Sequence, residues 1–158
     1  MSPRRQGSIW PWGLACGGRS RHIYPGCVTP QELKATCLGF TGAREEFPFD
    51  ESNSVFKVAG KIFAISRLDA TPLRVSLKCE PELAVQLRAT HPAITPGYHL
   101  NKRHWNTVVL DGSVPDELVR DLIEDSYDLV VAGLPRAERE RLKWSALSRE
   151  QRVPRERT

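Results

Sequence analysis

Thr95-Pro-Gly-Tyr-His-Leu-Asn-Lys-Arg-His-Trp-Asn-Thr-Val-Val-Leu-Asp-Gly112 changes character halfway along. Its first part gathers Tyr98, His99, Asn101, Lys102, Arg103, His104 and Asn106 into a polar stretch that Pro96 and Gly97 keep out of a helix. Its second part, 105–110, is rich in the β-branched and aromatic residues that suit a pleated surface, and Asp111-Gly112 closes it with a turn. A polar turn over 101–104 running straight into such a strand is a sheet-building unit. It makes a sheet the centre of the fold and puts the candidate ligand-contacting side chains at a strand end.

The neighbouring segments extend that sheet. Ser54-Val-Phe-Lys-Val58 and Lys61-Ile-Phe-Ala-Ile-Ser66 are short apolar runs separated by Ala59-Gly60, the pattern of a hairpin. Leu73-Arg-Val-Ser-Leu-Lys78 alternates apolar and polar, which predicts a strand with one buried face. Residues 41–53 read as an acidic loop whose Phe47-Pro48-Phe49 is expected to plug one end of the core.

Helices flank these strands. Thr29-Pro30-Gln31-Glu32 is a capping box with Pro at the first helical position, and it opens a short helix burying Leu33, Cys37 and Leu38 before Gly39. Pro81 opens a second helix, with Leu83, Ala84 and Leu87 inward, that ends before His91-Pro92. Ser113-Val-Pro-Asp116 starts the longest one, where Leu118, Leu122, Ile123, Tyr127, Val130 and Val131 recur at helical spacing. Gly133-Leu-Pro135 breaks it, and a charged helix over 136–147 follows, docked through Leu142 with Trp144 or Leu147. Hairpin-linked strands with helices gathered at the ends predict an α+β domain, a curved antiparallel sheet of about five strands covered by helices on one face.

At 158 residues the chain suits one domain, placed at 28–147 between an N-terminal extension, 1–27, and a polar tail, 148–158. The extension reads as disordered, or as residues translated ahead of a native start near Val28. Pro11 and Gly13 break its apolar stretch, which argues against an export signal. No apolar run approaches the roughly 18 residues that cross a bilayer. The formal charge is +4, but the extension carries +4 and the tail +2, so the body is −2. Within the body, 55–110 sums to +5 between flanks of −3 and −4. Four cysteines, Cys16, Cys27, Cys37 and Cys79, show no metal-binding spacing and read as reduced thiols of a cytoplasmic protein.

In order and at matching spacing, several segments resemble the MmcQ/YjbR family of small bacterial proteins. They are Gly42-Ala-Arg-Glu-Glu-Phe-Pro-Phe49, Val55-Phe-Lys-Val-Ala-Gly-Lys-Ile-Phe-Ala64, Val75-Ser-Leu-Lys78, Pro96-Gly-Tyr-His-Leu-Asn-Lys102, His104-Trp-Asn-Thr-Val108, Ser126-Tyr127 and Leu134-Pro135. The resemblance covers about 29–142 and implies a fold like that of the frataxin-like CyaY proteins, in a double-wing arrangement. It also implies the family's usual description, a DNA-binding protein.

The residues are compatible with that description. Lys57 and Lys61 flank the first hairpin turn, Arg74 and Lys78 share a strand face, and Lys102-Arg103 top the second turn. Together with Tyr98, His99, Asn101, His104 and Asn106 they form the expected nucleic-acid surface, binding duplex DNA weakly and with low sequence specificity. The competing expectation is that these lysines merely protect sheet edges, leaving a protein-interaction adaptor. Frataxin-like iron binding is a further alternative, but the first helix offers Glu32 alone as a hard ligand. His99 and His104 lack the third and fourth ligands zinc takes. No nucleophile turn or phosphate loop appears, so the expectation is a monomeric, non-enzymatic, cofactor-free cytoplasmic protein that does not enter membranes.

Overall fold

Thr29 caps the first helix as its sequence context dictates. Its backbone N–H donates to Glu32 Oε2 (3.0 Å) while its Oγ1 accepts from the Glu32 backbone N–H (3.1 Å), so two N-terminal helix donors are satisfied reciprocally. The structure, a computed structural model, describes residues 28–97 and 99–150. The expectations for 1–27, for Tyr98 and for most of the C-terminal tail fall outside these residues.

The elements are α1 (Pro30–Gly39), β1 (Ala43–Glu46), β2 (Ser54–Val58), β3 (Lys61–Ser66), β4 (Arg74–Lys78), α2 (Pro81–Thr90), β5 (Ile94–Pro96), β6 (Trp105–Val109), α3 (Asp116–Ala132) and α4 (Arg136–Glu150). The six described strands form one antiparallel sheet in the order β1-β2-β3-β4-β6-β5. The sequence suggested about five. The extra strand is Ala43-Arg-Glu-Glu46, which composition assigned to a loop because Ala and Glu are depleted in strands. Its ladder with β2, Ala43 opposite Val58 through Glu46 opposite Val55, overrides that propensity.

Cross-strand register sorts the side chains onto two faces. Leu77 lies beside Ala64 and Asn106, and Val75 beside Ser66 and Val108, on the inner face that packs against α3. Full burial of side chains such as Phe56, Phe63 and Ile123 contributes about 1.5–3 kcal/mol each. The outer face, away from α3, carries Arg44, Lys57, Ile65, Arg74, Ser76, Lys78, Trp105, Thr107 and Val109 at the alternate positions.

A bulge interrupts β3. Phe56 pairs with Ala64 and the next residue, Lys57, pairs with Ile62, so Phe63 is the extra residue and both Phe63 and Ala64 turn inward. The β3–β4 ladder ends there, and α3 closes the gap with the hydroxyl of Ser126. That group donates to the Phe63 carbonyl (2.5 Å) and accepts from the Lys78 backbone N–H (2.8 Å). Ser126 is fully buried, and its side chain replaces a missing rung of the sheet.

One end of the core is shut by aromatic rings, though not the ones expected. Phe40 stacks on Tyr127 (4.7 Å between centroids), both meet Phe63 edge-on, and the Tyr127 hydroxyl donates to the Thr41 carbonyl (2.6 Å). Phe47 and Phe49 are instead 50% and 68% exposed. Asp50 accounts for this: its carboxylate accepts from Ser52 and Asn53 and folds the loop on itself, away from the core.

The last helix differs in a similar way. Leu142 packs onto the body at Gly42, where a Cβ would come within 2.5 Å of Leu142 Cδ2. Trp144 and Leu147 do not dock; they are 68% and 51% exposed. They sit two and five residues past Leu142, off the face that Leu142 turns inward. The helix also runs to Glu150, past the expected end at 147.

Candidate nucleic-acid interface

Ala59 and Gly60 join β2 to β3 with φ of 49° and 79°, the paired left-handed conformation of a tight hairpin turn. Strand direction fixes what lies near that turn. β4 and β5 run toward the same end of the sheet and β6 starts from it, so Lys78 and the loop 97–104 share that end with Lys57 and Lys61. The two turns sit three strand spacings apart, about 14 Å at ~4.8 Å per step.

The second turn is held by its own backbone. Asn101 Oδ1 accepts from the Arg103 N–H (2.9 Å), and the Asn101 carbonyl accepts from the N–H groups of His104 (3.1 Å) and Trp105 (2.9 Å). The Cys79 N–H donates to the His104 carbonyl (2.7 Å), and Arg88 Nη1 to the Lys102 carbonyl (2.8 Å). Gly97 is required by crowding: a Cβ there would lie 2.8 Å from Trp105 Cβ. The side chains of His99, Lys102 and Arg103 are exposed at the tip, with His99 at φ 57° and the Lys102 ammonium donating to the Gly97 carbonyl (3.3 Å).

The expected site residues therefore divide. Lys61, Lys78, Lys102 and Arg103 gather at one end of the sheet. Lys57 is there too, but it is half-buried and paired with Glu46 (2.6 Å). Arg74 is exposed on the same outer face as Lys78, four residues and about 13 Å further along β4. Asn101 is spent on capping its own turn, and His104 is partly buried with its backbone anchoring Cys79.

Asn106 is a correction. It is 3% exposed on the inner face, donates to the Ala84 carbonyl of α2 (3.5 Å), and presents nothing outward. Its Oδ1 has no protein partner and borders a cavity of about 10 Å³, room for one water. The signal was available: Asn106 has the strand parity of Val108, so whichever face buries Val108 buries Asn106.

Trp144, expected to dock with Leu142, instead stands exposed on α4. Other chemistry is quiet. Burial, reinforced by the charge of Glu45, pushes the Cys37 thiol up to about 12. Burial and the charges of Asp125 and Glu80 push Cys79 up as well. Among the described residues no group of three or more His, Cys, Asp or Glu is arranged to hold a metal ion. Among them, too, no helix is long and apolar enough to cross a membrane.

Fold and surface thus define a class: a small α+β protein with an open antiparallel sheet, helices on one face, and cations at one end. The chain belongs to the YjbR family, whose model matches residues 38–129. It is similar to the uncharacterized protein YjbR of Escherichia coli strain K12, 39% identical over 115 residues that cover 73% of this chain and 98% of that one. It is also similar to the uncharacterized protein YbdF of Escherichia coli O157:H7, 40% identical over 61% of this chain and 80% of that one. A crystal structure of a Deinococcus radiodurans protein with a DUF419 domain superposes with a TM-score of 0.70 at 44% identity, covering 75% of this chain and 90% of that chain. A Pseudomonas syringae protein follows at 0.53 and 28%, covering 63% and 95%.

Proposed function

We propose that this protein is a non-enzymatic, cytoplasmic binder of duplex DNA with low sequence specificity. One observation carries the reading: two cationic turns stand at the same end of one sheet about 14 Å apart, close to the ~12 Å width of a DNA major groove. Lys61 on one side and Lys102 and Arg103 on the other meet phosphates of the two strands, with Lys78 between them. Specificity is low because Asn106 faces inward and Asn101 turns its Oδ1 to its own backbone, which leaves few groups for base edges. About four phosphate contacts give a salt slope near −3.6, so affinity drops roughly a hundredfold between 50 and 200 mM salt.

Fluorescence anisotropy with a labelled duplex tests this on the full chain, with Arg4, Arg5, Arg19 and Arg21 changed to Gln so that the extension adds no charge. Lys61→Glu combined with Lys102→Glu should weaken binding by about tenfold or more. No binding at about 50 mM salt, or binding indifferent to the double substitution, would sink the proposal.

A further inference from the structure

The surface of α4 continues the cationic end in an unexpected direction. A groove at the β2–β3 turn is formed by Lys57, Ala59 and Gly60 with Arg141 and Ser145 of α4. A second groove along the helix is lined by Arg141, Trp144, Ser145, Ser148 and Arg149. Arg141 and Ser145 belong to both, so the two surfaces are continuous. Positions 141, 144, 145 and 148 recur at helical spacing and share one face of α4.

The chemistry of the second groove is selective. Trp144 offers an indole that is 68% exposed in a groove that Arg141 and Arg149 also line, and no carboxylate lines it. The carboxylates of the first groove are already engaged, Glu46 by Lys57 and Glu138 by Arg141 (3.2 Å). The hydroxyls of Ser145 and Ser148 donate to the carbonyls of Arg141 and Trp144, so both turn acceptor lone pairs outward. Phosphates therefore fall to Arg149 and to Arg141, whose exposed pair with Glu138 is weak enough to yield to one; base amino groups fall to the serines, and a base plane to Trp144. A paired base inside a duplex cannot stack on an external ring; an unpaired one can.

Resting on the proposed duplex binding, we infer that α4 holds the single strand that leaves the duplex, making a duplex–single-strand junction the preferred ligand. The cationic turns grip the paired part, and the strand passes Arg141 to lay a base on Trp144. From Arg141 to Arg149 the helix rises about 12 Å, enough to follow a few nucleotides of an unpaired strand.

Anisotropy on the full chain compares a blunt duplex with the same duplex carrying a single-stranded extension of about four nucleotides. The extension should tighten binding about five- to tenfold, an amount typical of one stacked base. Trp144→Ala should abolish that preference and leave blunt-duplex affinity and thermal stability unchanged, while Trp144→Phe retains part of it. Equal affinity for the two DNAs, or a preference that survives Trp144→Ala, overturns the inference and leaves duplex binding standing. Failure to bind either DNA removes both. Trp144-dependent sedimentation with phosphatidylserine vesicles, without a preference for the extension, would assign the face to a membrane and also overturn it.

Discussion

Ser126 is the residue on which sheet and helix layer depend together. Its hydroxyl satisfies a buried carbonyl on β3 and a backbone N–H on β4 at once. Ser126→Ala leaves both groups without partners inside the core, at a cost of about 1–3 kcal/mol for each group so exposed. Urea unfolding should show a lower midpoint with an unchanged slope. Position 126 is three beyond Ile123 and four before Val130, so the helical period marks it as buried; that a serine there has a partner is invisible without the β3 bulge. The cysteines make a second case. With thiols raised by burial, Cys37 and Cys79 should resist iodoacetamide at pH 8 in the native protein and react once it is unfolded, as mass mapping of each site would record. Rapid native alkylation of Cys37 would contradict its place in the core.

Among the elements, those defined by period or by caps were legible, and those defined by neighbours were not. The capping box on α1, the Ala59-Gly60 turn and the alternation along β4 each follow from local chemistry. β1 exists because β2 offers it a ladder, and nothing in Ala43-Arg-Glu-Glu46 announces that. Its Glu45 is nonetheless a structural acid. Burial drives its carboxyl upward, but hydrogen bonds from Lys34 and Ser54 and the Lys34 charge outweigh that and hold it below its ordinary 4.5. A lowered folded value stabilises above 4.5 and is lost as pH falls through the folded value. Glu45→Gln should therefore cost about 1 kcal/mol at pH 7, measured by denaturant, with the gap to wild type closing below pH 4.5. A gap that stayed constant into acid would show that the Lys34 pair (2.8 Å) is not its source.

At the scale of the molecule, the α+β class was readable because α3 carries a clear helical period, β4 alternates, and caps, prolines and turn residues bound the rest. The site was half readable. Cations at turns are visible in sequence, but which end of the sheet each turn occupies depends on strand order, and which face Asn106 takes depends on where α2 lies. α4 was misjudged for the same reason: its apolar residues suggest docking, and only the packing of Leu142 decides which of them meets the body. The tie through Ser126 has a further consequence, this time for motion. Because a side chain of α3 is a rung of the β3–β4 seam, α3 cannot detach while that seam stays closed. Native-state hydrogen exchange should find the amides of α3 and of β3–β4 sharing one opening free energy, whereas those of α4, which buries no residue completely, open separately and sooner. The long helix and the central strands thus behave as a single cooperative unit, and the helix bearing Trp144 can move without disturbing it.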